Sequence, residues 1–317
     1  FCGWLFHDVD YRTYEWRYGQ AEVSAGDRTG SFRGALADWV VRRVYMLVTW
    51  VALPGALAYF FWRGWLEPAY RRHWGERLGR IKGVPTGAIW VHAASVGEAV
   101  LVTPLIERIK RDHAEVPVLV TTMTPTGRER IEAVFGSSVH CRYLPLDAVG
   151  ATRRFMRTVR PRLGVIAETE LWPNLLAACQ RRNVPVVIAN GRLSAGAFRL
   201  YQRFGALSRG MLETIAWIGA KSALDADRFV ELGAPSARVA VTGALKFDLD
   251  VDEATRQASR QLRASWGPRP VWIAGSTHPG EDEIMLAAHA RVLRTHPQAL
   301  LIPDRQTIQR RRPQSHR

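Results

Sequence analysis

The sequence has few cysteines and lacks the short motifs of common nucleotide-binding and hydrolytic enzymes. Its three cysteines, Cys2, Cys141 and Cys179, are scattered through 317 residues without a CxxC pair or a His–Cys spacing. This pattern argues against a disulfide framework and against a zinc site. A P-loop, a GxSxG, an HExxH and a complete GxGxxG are also absent. Kinase, hydrolase and dehydrogenase chemistry therefore have no support.

Acidic residues are outnumbered by basic ones, 29 to 44, which gives a formal net charge of +15. Such a charge predicts an anionic partner, and nucleic acid, an anionic lipid surface and a phosphorylated substrate all fit it equally. Apolar residues make up 47% and charged residues 23% of the chain. That composition excludes a disordered or fibrous protein and fits globular domains.

One segment has no charged residue at all: YMLVTWVALPGALAYFFW, residues 45–62. Its 18 residues lie at the lower limit for crossing a bilayer, and Trp50, Tyr59 and Trp62 resemble interfacial anchors. The alternative is a buried core helix, which Pro54 disfavours. We predict a membrane anchor over residues 40–63, preceded by a non-native or disordered leader, residues 1–39. The basic residues that follow at 71–80 predict a body on the cytoplasmic side, near anionic headgroups.

From residue 88 onward, short apolar runs alternate with amphipathic stretches, as in a parallel α/β sheet. The runs AIWVHA, VPVLVTT, VHCRYLPL, LGVIAE, VPVVIAN and WIGAKS predict strands of a first Rossmann-like domain, residues 64–217. A shorter series, VAVTGA, PVWIAGS and ALLIP, predicts a second such domain over residues 218–302. That domain has too few elements to be whole. Residues 303–317 are predicted to be a non-native or disordered tail.

Glu98 is the first candidate for chemistry, in the string AASVGE at the end of a predicted strand. A helix beginning there would offer free N–H groups and positive potential, which keep a carboxylate ionised as a base requires. Gly97 would let a ligand approach the backbone. The alternative is that Glu98 is only a favourable acid in the first helical turn.

A second pair of carboxylates, Glu168 and Glu170, follows the predicted strand LGVIA. Ligands bind at the carboxyl ends of parallel strands, so Glu168 would share a cleft with Glu98 if their strands were neighbours. The alternative is two surface acids before a helix. Lys246, in TGALKFD, could present a cation to a substrate, although a single lysine is usually just solvated.

The loop GSTH, Gly275 to His278, ends another predicted strand with small and hydroxyl residues. Such a loop suits the phosphate of a nucleotide. We therefore predict that Ser276, Thr277 and His278 bind substrate there, and that Ser95 and Gly97 do so in the first domain. No metal site and no cofactor are predicted.

Ten strings, read together, resemble the bacterial 3-deoxy-D-manno-octulosonic acid (Kdo) transferase family from about Val40 to Leu301. In the order in which they occur in the chain they are YRRHWGERLG, VHAASVGEA, TTMTPTG, YLPLD, RPRLGVIAETELWPNL, NGRLS, DADRF, LGA, TGALKFD and GSTHPGEDE. Two places depart from the family pattern, namely Ala244 and the stretch at 194–197. The family's Pro-Arg-His-Pro block would begin at Pro303, but Asp304 follows.

The resemblance implies a GT-B glycosyltransferase with two Rossmann-like domains, the second incomplete, and an N-terminal membrane anchor helix. It implies metal-independent transfer of Kdo from CMP-Kdo to the lipid A precursor (lipid IVA) in lipopolysaccharide core biosynthesis. Glu98 matches the family's general base, while Glu168 and Lys246 match residues that stabilise the transition state. The expected location is the bacterial inner membrane, with the body on the cytoplasmic side and anionic lipids as its surroundings.

Two other functions remain open from the sequence. If the loops that hold the CMP portion are absent, the chain would be a catalytically inactive remnant that keeps only the acceptor domain and the anchor. Loss of donor contacts would remove the positioning on which the rate depends. The charge alone would also fit a basic nucleic-acid-binding protein, but no RNA-binding aromatic motif or zinc finger accompanies it, so nucleic acid is not the expected partner.

Overall fold

The computed structural model describes residues 31–248, 253–275, 277–278 and 280–303. It places seven strands in one sheet in which every pair is parallel. In chain order they are β1 (Ile89–His92), β2 (Val118–Thr122), β3 (His140–Tyr143), β4 (Leu163–Ala167), β5 (Val186–Gly191), β6 (Trp217–Ala220) and β7 (Val239–Val241). Their apolar runs are continuous because both faces of the sheet are covered by helices.

The strand order is β3-β2-β1-β4-β5-β6-β7, which is the order of a Rossmann fold. The chain winds outward from β1 through β2 to β3, then returns so that β4 pairs with the other side of β1, with His92 opposite Ile166. The order therefore reverses between β1 and β4. In open α/β sheets, ligands bind beyond the carboxyl ends of the strands at this reversal.

Helices connect these strands and cover the sheet. The first is the long helix α1 (Ser31–Leu66), followed by α2 (Trp74–Arg77), α3 (Val96–Leu101), α4 (Thr103–Asp112), α5 (Pro125–Phe135), α6 (Val149–Val159), α7 (Pro173–Gln180), α8 (Ala195–Arg203), α9 (Gly205–Leu212) and α10 (Ala223–Glu231). Two buried clusters lie on the two faces of the sheet. Trp90, Phe155 and Phe229 belong to one, and Val91, Ile106 and Val120 to the other.

A second compact unit begins after residue 250. Its helices are α11 (Glu253–Ser265) and α12 (Glu281–Val292), and its two parallel strands are β8 (Val271–Ala274) and β9 (Leu300–Pro303). Val271 pairs with Leu300 and Ala274 with Pro303. A strand, a helix and a parallel strand form one βαβ unit, as the sequence predicted for this region.

The fold class predicted from the sequence is confirmed. Both units are parallel α/β, and an apolar helix precedes the first, which are the elements expected of a GT-B protein. The six apolar runs from AIWVHA to WIGAKS all form strands of one sheet.

The structure corrects the predicted domain boundary between residues 217 and 218. VAVTGA supplies β7, and β6 and β7 pair with each other inside the first sheet, with Ile218 opposite Val239. The compact units divide about 30 residues further along the chain, after residue 250. From the sequence alone, the short strand β7 could belong to either domain. Its hydrogen bonds to β6 assign it to the first.

Helix α1 contains the predicted anchor. It begins at Ser31, so residues 31–39, predicted to lie in a leader outside the fold, belong to the helix. Its segment Trp39–Leu66 is long and apolar enough to cross a membrane. The rest of the predicted leader, residues 1–30, and the tail beyond Pro303 lie outside the described residues. Pro303 itself ends β9.

Candidate functional site

Glu98 lies in the first turn of α3, directly beyond the carboxyl end of β1. Ser95 is the N-cap of this helix, and its hydroxyl oxygen accepts a hydrogen bond from the Glu98 backbone N–H at 3.3 Å. The same hydroxyl donates to Glu98 Oε1 at 2.9 Å, and the Ala94 N–H donates to Oε2 at 2.8 Å. This is a reciprocal capping arrangement in which the carboxylate satisfies donors ahead of the helix. These hydrogen bonds fix the Glu98 side chain at the edge of the sheet where the strand order reverses between β1 and β4.

The pKa of Glu98 is raised above the ordinary value for a glutamic acid. Burial is the largest cause because the ionised form loses hydration, while the Ala94 N–H and the Ser95 hydroxyl act in the opposite direction. The negative charge of Glu168 raises this pKa further. A carboxylate with a raised pKa is a stronger base than an exposed one, so it is better suited to take a proton near neutral pH.

The chain after β4 brings two more carboxylates to the same place. The Glu168 N–H donates to the Ala189 carbonyl at 2.9 Å, and its backbone is held at φ +56°, a region uncommon for a residue with a long side chain. Glu170 is half-buried and accepts a hydrogen bond from the Trp172 indole at 3.0 Å. Burial, followed by the charge of Glu98, raises the pKa of Glu170.

Glu98, Glu168 and Glu170 therefore form an acidic cluster at the reversal between β1 and β4. The sequence anticipated that Glu98 and Glu168 would meet if their strands were neighbours, and their strands are neighbours. Glu170 was not among the predicted site residues. The alternation Glu-Thr-Glu directly after a buried strand is the signal that points to it, because both acids then remain at the strand end.

Lys246 follows β7 in a short 3₁₀ helix, Leu245–Asp248, and its side chain is exposed. The Leu245 N–H donates to the buried side-chain oxygen of Asn190 at 3.1 Å. Asn190 comes directly after Ala189, whose carbonyl holds Glu168. Asn190 thus links the Lys246 segment to the backbone that carries Glu168. Nothing in the sequence near Lys246 indicates this link, since it joins residues far apart in the chain.

The predicted substrate-binding residues are distributed over both units. Ser95 is half-buried and engaged in capping, while Gly97 is exposed. A Cβ added at Gly97 would meet only the Ser95 hydroxyl, at 3.8 Å. Packing within the protein therefore does not require glycine at this position, and the open space on that side is available to a ligand.

In the second unit, the loop before α12 is held by acids of its own helix. The Thr277 hydroxyl donates to Asp282 Oδ1 at 2.6 Å, and the His278 N–H donates to Glu281 Oε2 at 2.7 Å. A phosphate here would have to exchange with these carboxylates or lie beside them, so donor binding by Thr277 and His278 stays a prediction. Ser276 lies outside the described residues. Within the described ranges, no group of His, Cys, Asp or Glu is arranged to hold a metal ion.

Ser95→Ala is expected to lower the free energy of unfolding by about 1 kcal/mol, because the helix loses its N-cap. It should also raise the pKa of Glu98 further, since the hydroxyl that donates to Oε1 is lost. Urea unfolding and an NMR titration of the Glu98 carboxyl would measure the two effects. Ser194→Ala is the matched control, because Ser194 caps α8 by accepting from the Ala197 N–H. Its loss should affect stability alone, and an unchanged Glu98 titration in Ser95→Ala would contradict the prediction.

The strand order and the acidic cluster together define a class. This is a Rossmann-type α/β protein. Three carboxylates lie beyond the carboxyl ends of β1 and β4, where the strand order reverses and ligands bind in this class of fold. A sequence model described as 3-deoxy-D-manno-octulosonic-acid transferase (Kdo transferase) matches residues 72–249, more than half of the chain. The chain belongs to the Kdo transferase family.

Similar proteins carry the same name. A 3-deoxy-D-manno-octulosonic acid transferase of Haemophilus influenzae is 41% identical over 74% of this chain and 56% of its own length. One of Bordetella pertussis is 36% identical over 72% of this chain and 54% of its own length. A probable mitochondrial one of Arabidopsis thaliana is 30% identical over 83% of this chain and 60% of its own length. The chain thus spans a little over half the length of these relatives.

Among solved structures, a putative UDP-N-acetylglucosamine 2-epimerase from Listeria monocytogenes superposes with a TM-score of 0.49 and 12% identity. The match covers 69% of this chain and 62% of that protein. The UDP-GlcNAc 2-epimerase from Neisseria meningitidis gives a TM-score of 0.48 and 15% identity, over 68% and 64% of the two chains.

Proposed function

We propose that the chain belongs to an enzyme that transfers Kdo from CMP-Kdo to lipid IVA, the lipid A precursor, in lipopolysaccharide core biosynthesis. The observation that carries this proposal is the half-buried Glu98 carboxylate, fixed at the strand-order reversal of a Kdo transferase domain. The first unit would bind the lipid acceptor and the second the CMP-sugar. The body would face the cytoplasm, held at the inner membrane by α1.

Glu98 is the general base in this proposal. It takes the proton from a glucosamine hydroxyl of the acceptor while that oxygen forms a bond to the anomeric carbon of Kdo. The bond from this carbon to the phosphate of CMP breaks, and its electron pair leaves with CMP. The raised pKa of Glu98 supports the role because proton transfer is most efficient when the pKa of the base lies near the working pH.

Glu168 and Lys246 would stabilise charge in the transition state. The reacting sugar carbon gains positive charge as the bond to CMP lengthens, and a neighbouring carboxylate such as Glu168 favours it. The phosphate of the leaving CMP gains negative charge, which the Lys246 ammonium would favour. The hydrogen bond from the Leu245 N–H to Asn190 supports a shared site for the two residues, because Asn190 adjoins Ala189, whose carbonyl accepts from the Glu168 N–H. We propose that transfer needs no metal ion.

The test is a transfer assay with radiolabelled CMP-Kdo and lipid IVA. It compares the chain alone with the chain joined to the C-terminal region of the Haemophilus influenzae relative. We expect the joined protein to label the lipid. Label transferred by the chain alone would show that the second unit holds the donor by itself. A joined protein that is folded and binds CMP-Kdo but leaves the lipid unlabelled would contradict the proposed function.

A further inference from the structure

Helix α1 contacts the first unit near both ends of its apolar segment. Its partly or fully buried residues recur at helical spacing on one face, among them Val41, Tyr45, Thr49, Leu53, Phe60 and Gly64. At 1.5 Å per residue, the 23 steps from Val41 to Gly64 extend for about 35 Å. This distance exceeds the thickness of the hydrocarbon core of a bilayer, about 30 Å.

The contacts along this face are specific. Near the start of the apolar segment, the Tyr45 hydroxyl donates to Asp147 Oδ2 at 2.9 Å, and one turn later the Asn174 amide donates to the Thr49 hydroxyl at 3.2 Å. Near the end, the Phe60 ring lies 4.1 Å from the guanidinium carbon of Arg77, which is fully buried. The body thus holds the helix at both ends of its apolar segment.

The opposite face of α1 is exposed and strongly apolar. It carries Leu47, Trp50, Val51, Trp62, Trp65 and Leu66, each more than 60% exposed. An exposed apolar stripe of this length marks a surface that is covered by something in the native environment. Tryptophan at several points along the stripe is typical of the water–lipid interface, where the ring is partly immersed.

Exposed arginines lie at both ends of this stripe. Arg42 and Arg43 stand at its beginning, and Arg71 and Arg72 just after its end. A helix that crosses a membrane usually has its basic flank on one side, the cytoplasmic one. A helix that lies in the interface has basic residues along the polar boundary, where anionic lipid headgroups attract them.

We propose that α1 lies in the plane of the membrane surface as a monotopic anchor. Its tryptophan-bearing face enters the lipid, and both of its ends stay on the side where the body lies. A spanning position would carry the parts of the body that contact Tyr45 and Thr49, including Asp147, into the hydrocarbon. Charged groups and irregular backbone are excluded from that region unless protein surrounds them. The inference does not depend on the chemistry of sugar transfer.

Cysteine labelling tests this topology. In the chain with Cys2→Ser, Cys141 and Cys179 are 3% and 1% exposed, so they should not react with a membrane-impermeant maleimide. Arg43→Cys places a thiol at the beginning of the apolar stripe, and Glu107→Cys places one on an exposed part of the body. Each variant is labelled in spheroplasts and in inverted membrane vesicles of the expressing cells.

We expect Arg43→Cys and Glu107→Cys to react in the same preparation and to be protected in the other. Reaction of the two thiols in opposite preparations would show that α1 crosses the membrane, and would overturn the proposal. Failure of the purified chain to float with vesicles containing anionic phosphatidylglycerol would also overturn it. Neither measurement uses CMP-Kdo or lipid IVA, so each outcome is independent of the transfer assay.

Discussion

Glu98→Gln is expected to lower the rate of Kdo transfer by about 10²–10⁴-fold, the usual contribution of a general base. The amide cannot accept the proton of the acceptor hydroxyl. Its shape preserves the local structure, because its oxygen can accept from the Ala94 N–H and its NH₂ group can donate to the Ser95 hydroxyl in place of the carboxylate contacts. The loss should therefore reflect the missing base rather than a displaced loop.

Initial rates with saturating CMP-Kdo and lipid IVA, measured on the transfer-competent protein, would give this loss. The KM values should change little, since the substituted group acts on a proton and not on binding. Glu107→Gln removes a carboxylate from the exposed face of α4 and serves as the matched control, which should retain the full rate. A Glu98→Gln rate within a few-fold of the parent would remove Glu98 from the role of base.

The same substitution has a consequence for stability that needs no substrate. Because the pKa of Glu98 is raised in the folded protein, ionisation costs more there than in the unfolded chain. The parent should therefore lose stability as the pH rises from the unfolded pKa through the folded one, and Glu98→Gln should lack this loss. Urea unfolding across that pH range should show the variant gaining stability relative to the parent, then levelling off. A constant difference would mean that the carboxylate is not desolvated.

The strands and helices of the first unit could be predicted because each is encoded locally. Parallel strands that are covered on both faces become unbroken apolar runs, and AIWVHA and VPVVIAN are of this kind. Thr124 and Pro125, which cap and begin α5, are equally local signals. The proximity of Glu98 and Glu168 was different, because it depends on the strand order, and no local pattern states that β4 pairs with β1.

The features that were missed all depend on contacts between distant parts of the chain. The sheet continues through β7 because Ile218 pairs with Val239. The segment that carries Lys246 is tied to the sheet because the Leu245 N–H donates to the side chain of Asn190, 55 residues earlier. The contacts of α1 with the body have the same origin. Hydropathy alone predicts an anchor at residues 45–62, but only the contacts of Tyr45 and Thr49 show which face of the helix meets the body.

Asp147→Ala is expected to lower the free energy of unfolding by about 3 kcal/mol, the sum expected for several donors left without an acceptor. The Asp147 carboxylate accepts from the Asn174 N–H at 3.0 Å and the Leu175 N–H at 2.8 Å, in the first turn of α7. It also accepts from the Tyr45 hydroxyl of α1 at 2.9 Å. One side chain therefore caps α7 of the body and holds α1 to it.

Two further variants separate these roles in urea unfolding. Tyr45→Phe removes only the contact with α1 and should cost about 1 kcal/mol. Asp147→Asn keeps one oxygen for the α7 amides and should cost less than Asp147→Ala. Combining Tyr45→Phe with Asp147→Ala should add little to Asp147→Ala alone, because the hydroxyl has already lost its acceptor. Full additivity would show that the hydroxyl and the carboxylate do not interact, and a loss below about 0.5 kcal/mol in Asp147→Ala would place the carboxylate in solvent.

Asp147 ends the string YLPLD, one of those that resemble the Kdo transferase family, but its contacts are structural. It bonds to α1 and α7, whereas the charges that act on Glu98 come from Glu168. Kdo transfer by Asp147→Asn, normalised to the folded fraction, should therefore match that of the parent, while Glu98→Gln loses transfer without losing stability. Asp147→Asn should lower the stability and not the transfer rate, and Glu98→Gln should lower the transfer rate and not the stability. A transfer defect in fully folded Asp147→Asn would mean that the docking of α1 also controls access to the acidic cluster.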